Sequence, residues 1–332
     1  MAVNRKPILS VIAMMTDFQF DIGESSEAAP PDAFVLCTPK GWDSYISREF
    51  HEIQQNLASL GWTMMVVDET DDERLLDVIR RARLVLLWEC YEILERLADS
   101  FATLPKHIRR HWADLILATY PNKLIEWFPD VKKRIKWTPH SAASAFSPFF
   151  APVFDRVLLS GSRTWPYPFR QFCAAKLPDA VCNIVDHPGY PGYPGDRTNQ
   201  MRADSNALAT VGGPRYATLL RRHPAMLVCG SIFNYLVAKV FEGMATGCLV
   251  IADRESLGAQ LAALGFVERE DYIGTDIFHV IEDAAEVQRL FLNDVRRWSA
   301  IVERASLKVA KHHTTNVRAR NIHALCLQEV AT

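Results

Sequence analysis

A single carboxylate interrupts an otherwise apolar helical pattern in the second half of the chain. Glu242 lies within residues 239–247, which end at Gly247 and run directly into the apolar stretch 248–252. A carboxylate has two acceptor oxygens, so it can bind two adjacent ribose hydroxyls at once. The alternative is a glutamate that simply reaches solvent. The segment alone leaves both interpretations open. We assign Lys239, at the start of the segment, to the same candidate site.

Three glycine-containing loops can present backbone amides to an anion. Each is predicted to lead into a helix, and the loops are residues 40–44, 161–163 and 229–231. Amides at a helix N-terminus lack intrahelical partners and point at a bound anion. Arg163 and Arg170 flank the middle loop and supply charge for a diphosphate. Each arginine alone is more often a solvated surface residue, but together with Glu242 they describe a nucleotide diphosphate site. The candidate donor-site residues of these loops are Gly41, Gly161, Ser162 and Ser231.

Length and composition predict a two-domain globular protein. The chain has 332 residues, 49% of them hydrophobic and 23% charged, which is enough to bury two cores of about 150 residues each. The formal net charge of −2 provides no field that favours nucleic acid or an anionic membrane. The seven cysteines include no closely spaced pair, so we expect reduced thiols and a cytoplasmic location. No apolar run approaches the ~20 residues of a membrane span.

Strand-like and helix-like patterns alternate along both halves, which predicts an α/β fold with parallel sheets. In the first half the strands are predicted at 8–15, 34–37, 64–67, 84–87 and 113–118, and the helices at 46–60 and 75–82. Residues 135–150 break the pattern and are interpreted as a crossover between domains. In the second half the strands are predicted at 156–159, 181–185, 226–229 and 249–252, and the helices at 167–176, 215–222, 237–246 and 257–264.

A long loop with a tandem Gly-Tyr-Pro sequence lies between two predicted elements of the second half. Its proline and glycine content excludes helix and interior strand, and it presents Tyr190 and Tyr193 on a stiffened backbone. These tyrosines, with His187, can stack on a sugar or a base, and we include Tyr190 in the candidate site. The alternative is an ordered loop that packs on its own aromatic residues.

The order of these motifs resembles the group 1 glycosyltransferases of the GT-B architecture, and within them the CgeB-like branch. The motifs are the Leu-Leu-Ser-Gly-Ser and Tyr-Pro-Phe-Arg sequences, His-Pro-Gly-Tyr, the segment around Glu242, and a late His-Thr pair followed by Arg318. The resemblance covers roughly residues 155–325, and in the first half only the glycine loop and its helix match. It implies two facing Rossmann-like domains with parallel sheets. They are an N-terminal acceptor-side domain (1–145), a C-terminal donor-side domain (150–315) and a C-terminal helix (316–332) that returns to the first domain.

The resemblance also implies roles for individual residues. Glu242 matches the glutamate that holds the donor ribose, and Ser231 matches the serine of the loop over the diphosphate. Arg163 and Arg170 match the basic pair that neutralises the phosphates, and Gly41 matches the glycine loop of the first domain.

Two positions depart from the family pattern. Asn234 stands where many members have a second glutamate, so it can bond a sugar hydroxyl but carries no charge. No histidine follows the strand 84–87, and Glu89 is the ionisable group near its end. We include Glu89 among the catalytic candidates, with a surface or helix-capping glutamate as the alternative.

The chemistry implied by the resemblance is sugar transfer with retained anomeric configuration and without metal or cofactor. The acids at 68–73 precede a predicted helix, so the helix dipole explains them more simply than a metal does. Adjacent His312 and His313 point in different directions and are interpreted as the end of a surface helix.

Three functions remain open. The leading hypothesis is a hexosyl- or pentosyltransferase that uses a nucleotide sugar and an unidentified glycan, lipid or protein acceptor. The others are a non-catalytic nucleotide- or sugar-binding module and a sugar-nucleotide epimerase, which would need acid/base groups that the sequence does not locate.

Overall fold

A computed structural model describes residues 33–37, 49–66, 84–89, 116–119, 121–122, 125, 129–185 and 213–331. They fall into two compact units. The first contains the described residues up to Pro139 together with those from Thr315 onward, and the second is built from His140–Thr314.

The first unit contains a parallel sheet of five strands in the order β2-β1-β3-β4-β5. Val35 in β1 pairs with Met64 in β2 on one side and with Leu86 in β3 on the other. Helix α8 packs on α1, where the Trp62 indole donates to Nδ1 of His323 at 3.0 Å. The elements of this unit are β1 Ala33–Cys37, α1 Glu49–Ser59, β2 Thr63–Val66, β3 Leu84–Glu89, β4 Ile116–Ala118, a 3-10 helix Pro129–Arg134, β5 Ile135–Trp137 and α8 Thr315–Ala331.

The second unit repeats this topology. Its parallel sheet has the order β10-β9-β8-β6-β7, and every residue of β6, β8 and β9 is buried. Strands buried on both faces are typical of a parallel sheet covered by helices on each side. The elements are β6 Val157–Ser160, α2 Pro168–Lys176, β7 Cys182–Val185, α3 Pro214–Arg221, β8 Ala225–Val228, α4 Ala238–Thr246, β9 Leu249–Asp253, α5 Arg254–Ala263, β10 Ile273–Thr275, α6 Val280–Asn293 and α7 Val295–His312.

The strand order places a topological switch point between β6 and β8. From β6 the chain moves to β7 on one side, then returns to β8 on the other side and continues outward to β9 and β10. Successive crossovers therefore leave β6 and β8 in opposite directions, which opens a crevice at their carboxyl ends. This crevice is where an α/β sheet of this kind binds ligands.

The core of the second unit packs α2, α6 and α7 against one face of the sheet. Trp298 is 1% exposed, and its indole nitrogen donates to the Pro224 carbonyl at 3.0 Å, so its one polar atom is satisfied inside the core. The described cysteine side chains are buried thiols that form no disulfide with one another: Cys173, Cys182, Cys229, Cys248 and Cys326. Among the described helices, none is long and apolar enough to cross a bilayer.

The predicted α/β class with parallel sheets is confirmed, and the described strands lie within a few residues of their predicted positions. The helix that carries Glu242 ends at Gly247, where φ is 81°, as its glycine stop predicts. Three differences appear: the predicted crossover 135–150 begins with β5, β10 was not predicted, and α5 starts at Arg254. The segments 8–15 and 75–82 and the acids at 68–73 lie outside the described residues.

The prediction that His312 and His313 end a helix is confirmed, but the interpretation of His313 as a surface residue is wrong. His313 is 1% exposed, and its ring centroid lies 5.2 Å from those of both Phe241 and Phe266. It caps the C-terminus of α7, and its carbonyl accepts from the Ala142 amide at 2.7 Å. The packing of His313 against two aromatic rings gives it a structural role in the core of the second unit.

Candidate functional site

Two cations converge at the carboxyl end of β6. Gly161 follows this strand with a φ of 108°, a conformation that residues with a side chain rarely adopt. A Cβ atom there would collide with the Lys239 ammonium group and lie 3.0 Å from Nη1 of Arg170. Glycine is therefore required both by the backbone and by the close approach of two positive charges.

Arg170 connects the ends of β6 and β8 from the first turn of α2. It is 4% exposed, and its guanidinium donates to the Ser162 carbonyl at 3.2 Å and to the Cys229 carbonyl at 3.4 Å. The guanidinium also lies 4.1 Å from the centroid of the Tyr167 ring, close enough for a cation–π interaction. Its Nε is buried and makes no hydrogen bond among the described residues. Burial lowers the pKa of Arg170, but Cys229 and the nearby tyrosines raise it above its ordinary value, so the group stays charged.

Lys239 approaches the same point from the first turn of α4. Its ammonium donates to the Ser160 carbonyl at 3.0 Å and lies 5.5 Å from the centroid of the Tyr216 ring. Lys239 and Glu242 are three residues apart on this helix, so their side chains share a face.

Glu242 is 4% exposed, which rules out the interpretation of a glutamate that only reaches solvent. A buried carboxylate is stable only where neighbouring groups offset the cost of removing its charge from water. Burial and then the negative charge of Glu242 raise the pKa of Tyr216, so the carboxylate lies in the neighbourhood of this tyrosine. Glu242 is therefore close to the ring that contacts Lys239.

The loop between β8 and α4 holds two non-glycine residues in the left-handed region. They are Ser231 with φ of 60° and Asn234 with φ of 51°. Ser231 Oγ accepts from the Phe233 amide at 3.2 Å, and the Gly230 amide donates to Ser256 Oγ at 2.9 Å. Conformations of this kind cost free energy and persist where surrounding contacts enforce them, often at ligand sites. Asn234 is exposed, and its carbonyl accepts from the Gln260 amide group.

The structure separates the two arginines of the predicted basic pair. Arg163 is exposed and its carbonyl accepts from the Gln171 amide group at 2.9 Å, whereas Arg170 is buried beside Lys239. Ser162 Oγ lies 2.9 Å from the hydroxyl of Thr164, within its own loop. The two glycine loops of the second unit do not lead directly into their helices. The N-cap of α2 is Tyr167, six residues after Gly161, and the N-cap of α4 is Val237, seven residues after Gly230.

The structure thus brings Arg170 and Lys239 together at Gly161, with Glu242 one helical turn from Lys239 on α4, and the sequence analysis missed Tyr216 and Ser160. Tyr216 lies on α3, and its hydroxyl is 2.8 Å from Ser160 Oγ. A tyrosine on an ordinary amphipathic helix carries no sequence signal for such a role. Gly41 and Tyr190 lie outside the described residues, as does the side chain of Glu89, which ends β3.

No group of three or more His, Cys, Asp or Glu side chains is placed to hold a metal ion in the part of the chain that the structure describes.

Asp253, at the end of β9, supports the β8–α4 loop through Ser256. Ser256 Oγ donates to Oδ2 of Asp253 at 2.5 Å while accepting from the Gly230 amide. Burial raises the pKa of Asp253, so near and above the ordinary aspartate pKa of about 3.9 the folded chain binds more protons than the unfolded chain. The stability that Asp253 contributes is thus lost as the pH rises from about 3.9 through the pKa of Asp253 in the folded state.

We expect Asp253→Asn to flatten this part of the pH dependence, because an amide is neutral and its oxygen still accepts the Ser256 hydrogen bond. Urea unfolding at a series of pH values from about 3.9 upward measures the effect. The exposed Glu286→Gln, which lies on another helix, serves as the control. A stability profile of Asp253→Asn that parallels the parent profile would contradict the expectation.

Known proteins of similar sequence or fold are glycosyltransferases. Residues 164–324 match the model of the family described as "Glycosyl transferase-like". Among solved structures, Anabaena Alr3699/HepE in complex with UDP and glucose has a TM-score of 0.56 and 11% identity, over 89% of this chain and 100% of the other. A glycosyltransferase from Rickettsia africae has a TM-score of 0.52 and 10% identity, over 91% and 99%. No curated protein sequence matches the chain.

An alpha-glucosyltransferase in complex with UDP-glucose and DNA containing an abasic site is also similar, with a TM-score of 0.55 and 12% identity over 90% of this chain and 99% of the other. At these identities the likeness establishes the fold alone. The predicted GT-B type of α/β fold agrees with these glycosyltransferases. By its fold the chain resembles solved glycosyltransferases, and its residues 164–324 match the glycosyl transferase-like family.

Proposed function

We propose that the second unit binds a nucleoside diphosphate sugar and that the protein transfers the sugar to an acceptor. The observation that carries this proposal is the convergence of Arg170 and Lys239 on Gly161, at the switch point between β6 and β8. Two cations beside one glycine supply positive charge next to backbone that carries no side chain, and a bound diphosphate would neutralise both. The family match and the UDP-containing complexes of similar proteins support this choice of ligand.

In this proposal the cations act on the leaving group. When the bond from the anomeric carbon to the phosphate oxygen breaks, negative charge grows on the diphosphate. Arg170 and Lys239 are held by carbonyl groups of the β6 and β8 ends, so they can offset this charge without reorganising. Glu242 binds the ribose hydroxyls, and Asn234 contacts the sugar. Ser231 and Arg163 contact the diphosphate from their loops. Gly41 approaches the donor, Tyr190 stacks on the sugar or the base, and Glu89 is a catalytic candidate.

We further propose that the reaction retains the anomeric configuration and needs no metal or cofactor, and that the chain belongs to the CgeB-like branch. The two facing domains predicted from sequence, with the acceptor bound by the first, are part of the same proposal. UDP-glucose is the first donor to test, because it occupies similar structures. The acceptor panel includes glycans, lipids, proteins and DNA, since the complex of one similar protein contains DNA although the net charge of this chain predicts no nucleic acid.

The purified protein incubated with UDP-glucose and other nucleotide sugars tests the function. A glycosyltransferase releases the nucleoside diphosphate, slowly to water and faster when the right acceptor is added. Binding without release would favour the non-catalytic module, and interconversion of sugar nucleotides without release would favour the epimerase.

Glu242→Gln tests the ribose assignment. We expect UDP affinity to fall about tenfold, because hydrogen bonds to a charged acceptor contribute about 1.5–3 kcal/mol. Titration calorimetry with UDP and with 2′,3′-dideoxy-UDP measures the effect. The parent protein should prefer UDP, and Glu242→Gln should bind both nucleotides nearly equally.

The exposed Glu255→Gln is the matched control and should retain the parent preference. A Glu242→Gln protein that still discriminates between the two nucleotides as the parent does would place the ribose elsewhere.

A further inference from the structure

Tyr216 lies beneath the candidate anion site, and neither the sequence motifs nor the family resemblance assign it a role. We propose that Tyr216 is a positioning residue that holds the Lys239 ammonium group where the donor diphosphate binds. This inference rests on the proposed donor site. It predicts that Tyr216 acts on phosphate binding through Lys239 and not through its own contact with the ligand.

The contacts of Ser160 connect the two side chains. The Tyr216 hydroxyl lies 2.8 Å from Ser160 Oγ, and the Lys239 ammonium donates to the carbonyl of the same serine at 3.0 Å. Ser160 is the last residue of β6 and directly precedes Gly161, so its orientation determines where the lysine is anchored. The hydrogen bond between Tyr216 and Ser160 thus fixes the residue whose carbonyl accepts from Lys239.

The tyrosine ring provides the second contact. The Lys239 nitrogen lies 5.5 Å from the ring centroid, within the range of a cation–π interaction, which strengthens when the pair is removed from water. Tyr216 is 5% exposed, and Phe146 packs against its ring at 6.4 Å in an edge-to-face arrangement. The ring is therefore fixed by its own packing and offers a rigid surface to a flexible lysine.

The protonation state of Tyr216 suits this role. Burial and the negative charge of Glu242 favour the neutral phenol, which keeps a proton for the Ser160 hydrogen bond. Lys239 and Glu242 lie one helical turn apart on α4; the Tyr216 ring contacts the ammonium group, and the carboxylate raises the pKa of the tyrosine. Tyr216 therefore stays neutral and keeps both its ring contact with Lys239 and its hydrogen bond with Ser160.

A double-mutant cycle between Tyr216 and Lys239 tests the inference. The variants are Tyr216→Leu, Lys239→Met and the double variant, and titration calorimetry measures their affinities for UDP, uridine and inorganic pyrophosphate. We expect Tyr216→Leu to weaken UDP and pyrophosphate binding about tenfold and to leave uridine binding unchanged. In the Lys239→Met background the same substitution should have almost no further effect, because its effect is transmitted by the lysine.

Tyr216→Phe separates the two contacts. It keeps the ring and removes the hydroxyl, so we expect a loss of about threefold to fivefold in UDP affinity, the value of one ordinary hydrogen bond. Thermal unfolding of each variant confirms that it is folded, and the phenylalanine variant provides the readout if the leucine variant is not.

Several outcomes overturn the inference while leaving the donor site intact. They are additive effects of Tyr216→Leu and Lys239→Met on UDP binding, an equal loss of uridine binding, and UDP affinity in Tyr216→Phe equal to that of the parent. A parent protein that binds neither UDP nor pyrophosphate overturns the proposed function, and the inference with it.

Discussion

Replacing Arg170 with glutamine is expected to lower the affinity of the protein for UDP by about 100-fold. The substitution removes a buried positive charge that bridges the ends of β6 and β8. A charge-assisted hydrogen bond contributes about 1.5–3 kcal/mol, and about 2.7 kcal/mol corresponds to 100-fold in affinity. Glutamine is too short to reach both the Ser162 and Cys229 carbonyls, so the two loops of the proposed diphosphate site lose their common anchor as well.

Titration calorimetry with UDP measures this loss. The variant Arg170→Lys separates the effect of the charge from that of the bridge between the two loops, and Arg163→Gln tests the other arginine of the predicted pair. Lysine keeps the charge but not the two-point bridge, so we expect an intermediate loss of about tenfold. Arg163 is exposed, and Arg163→Gln should cost much less than Arg170→Gln. Equal losses in these two variants would show that the cluster at Gly161 is not the anion site.

Arg170→Gln also leaves buried carbonyl groups without their donor. Each group of this kind costs about 1–3 kcal/mol of folding free energy. Urea unfolding therefore accompanies the binding measurement, and the affinity is compared at a temperature where each variant is fully folded.

Gly161→Ala is expected to abolish measurable UDP binding at concentrations that saturate the parent protein. The added methyl group occupies the place of the Lys239 ammonium group and approaches Nη1 of Arg170, while φ stays at 108°. Lys239 must turn away, and the backbone is strained by about 1–2 kcal/mol because Cβ then crowds the neighbouring peptide. A single carbon atom thus removes one cation and distorts the loop that approaches the phosphate.

Gly265→Ala is the matched control for this substitution. Gly265 has a φ of 75°, and a Cβ atom there would meet nothing within 4 Å. It also places an alanine at positive φ but without a collision, so it should lower the stability of the protein and leave UDP affinity unchanged. If Gly161→Ala binds UDP as well as Gly265→Ala does, the approach of Lys239 and Arg170 to Gly161 has no part in nucleotide binding.

The sequence allowed most of the described strands to be predicted because they are continuous apolar runs separated by helical periodicity. Strands β6, β8 and β9 are buried along their whole length, and such runs are readily recognised. In contrast, β5 and β10 have three residues each, and unlike the equally short β4 they do not lie in a longer apolar run. Their pairing with β4 and β9 depends on neighbours that are distant in the chain.

The candidate site was predictable only in part. Glu242 was identified because a charge in an apolar helix needs an explanation, and its burial agrees with that argument. Arg163 and Arg170 were equivalent in the sequence because both flank a glycine loop. The structure distinguishes them: Arg170 lies on the inner face of α2 and reaches the β8 end, while Arg163 remains on the exposed loop.

The sequence by itself therefore determined the parallel α/β class, the helix with Glu242 and the glycine at the end of β6, because periodicity and backbone preference are local properties. Only the tertiary structure decided that Lys239, rather than Arg163, approaches Gly161 beside Arg170, and that Tyr216 and Ser160 lie beneath them. These contacts join residues up to 79 positions apart. The strand order of the sheet, with its switch point between β6 and β8, brings such residues together, and no local pattern encodes that order.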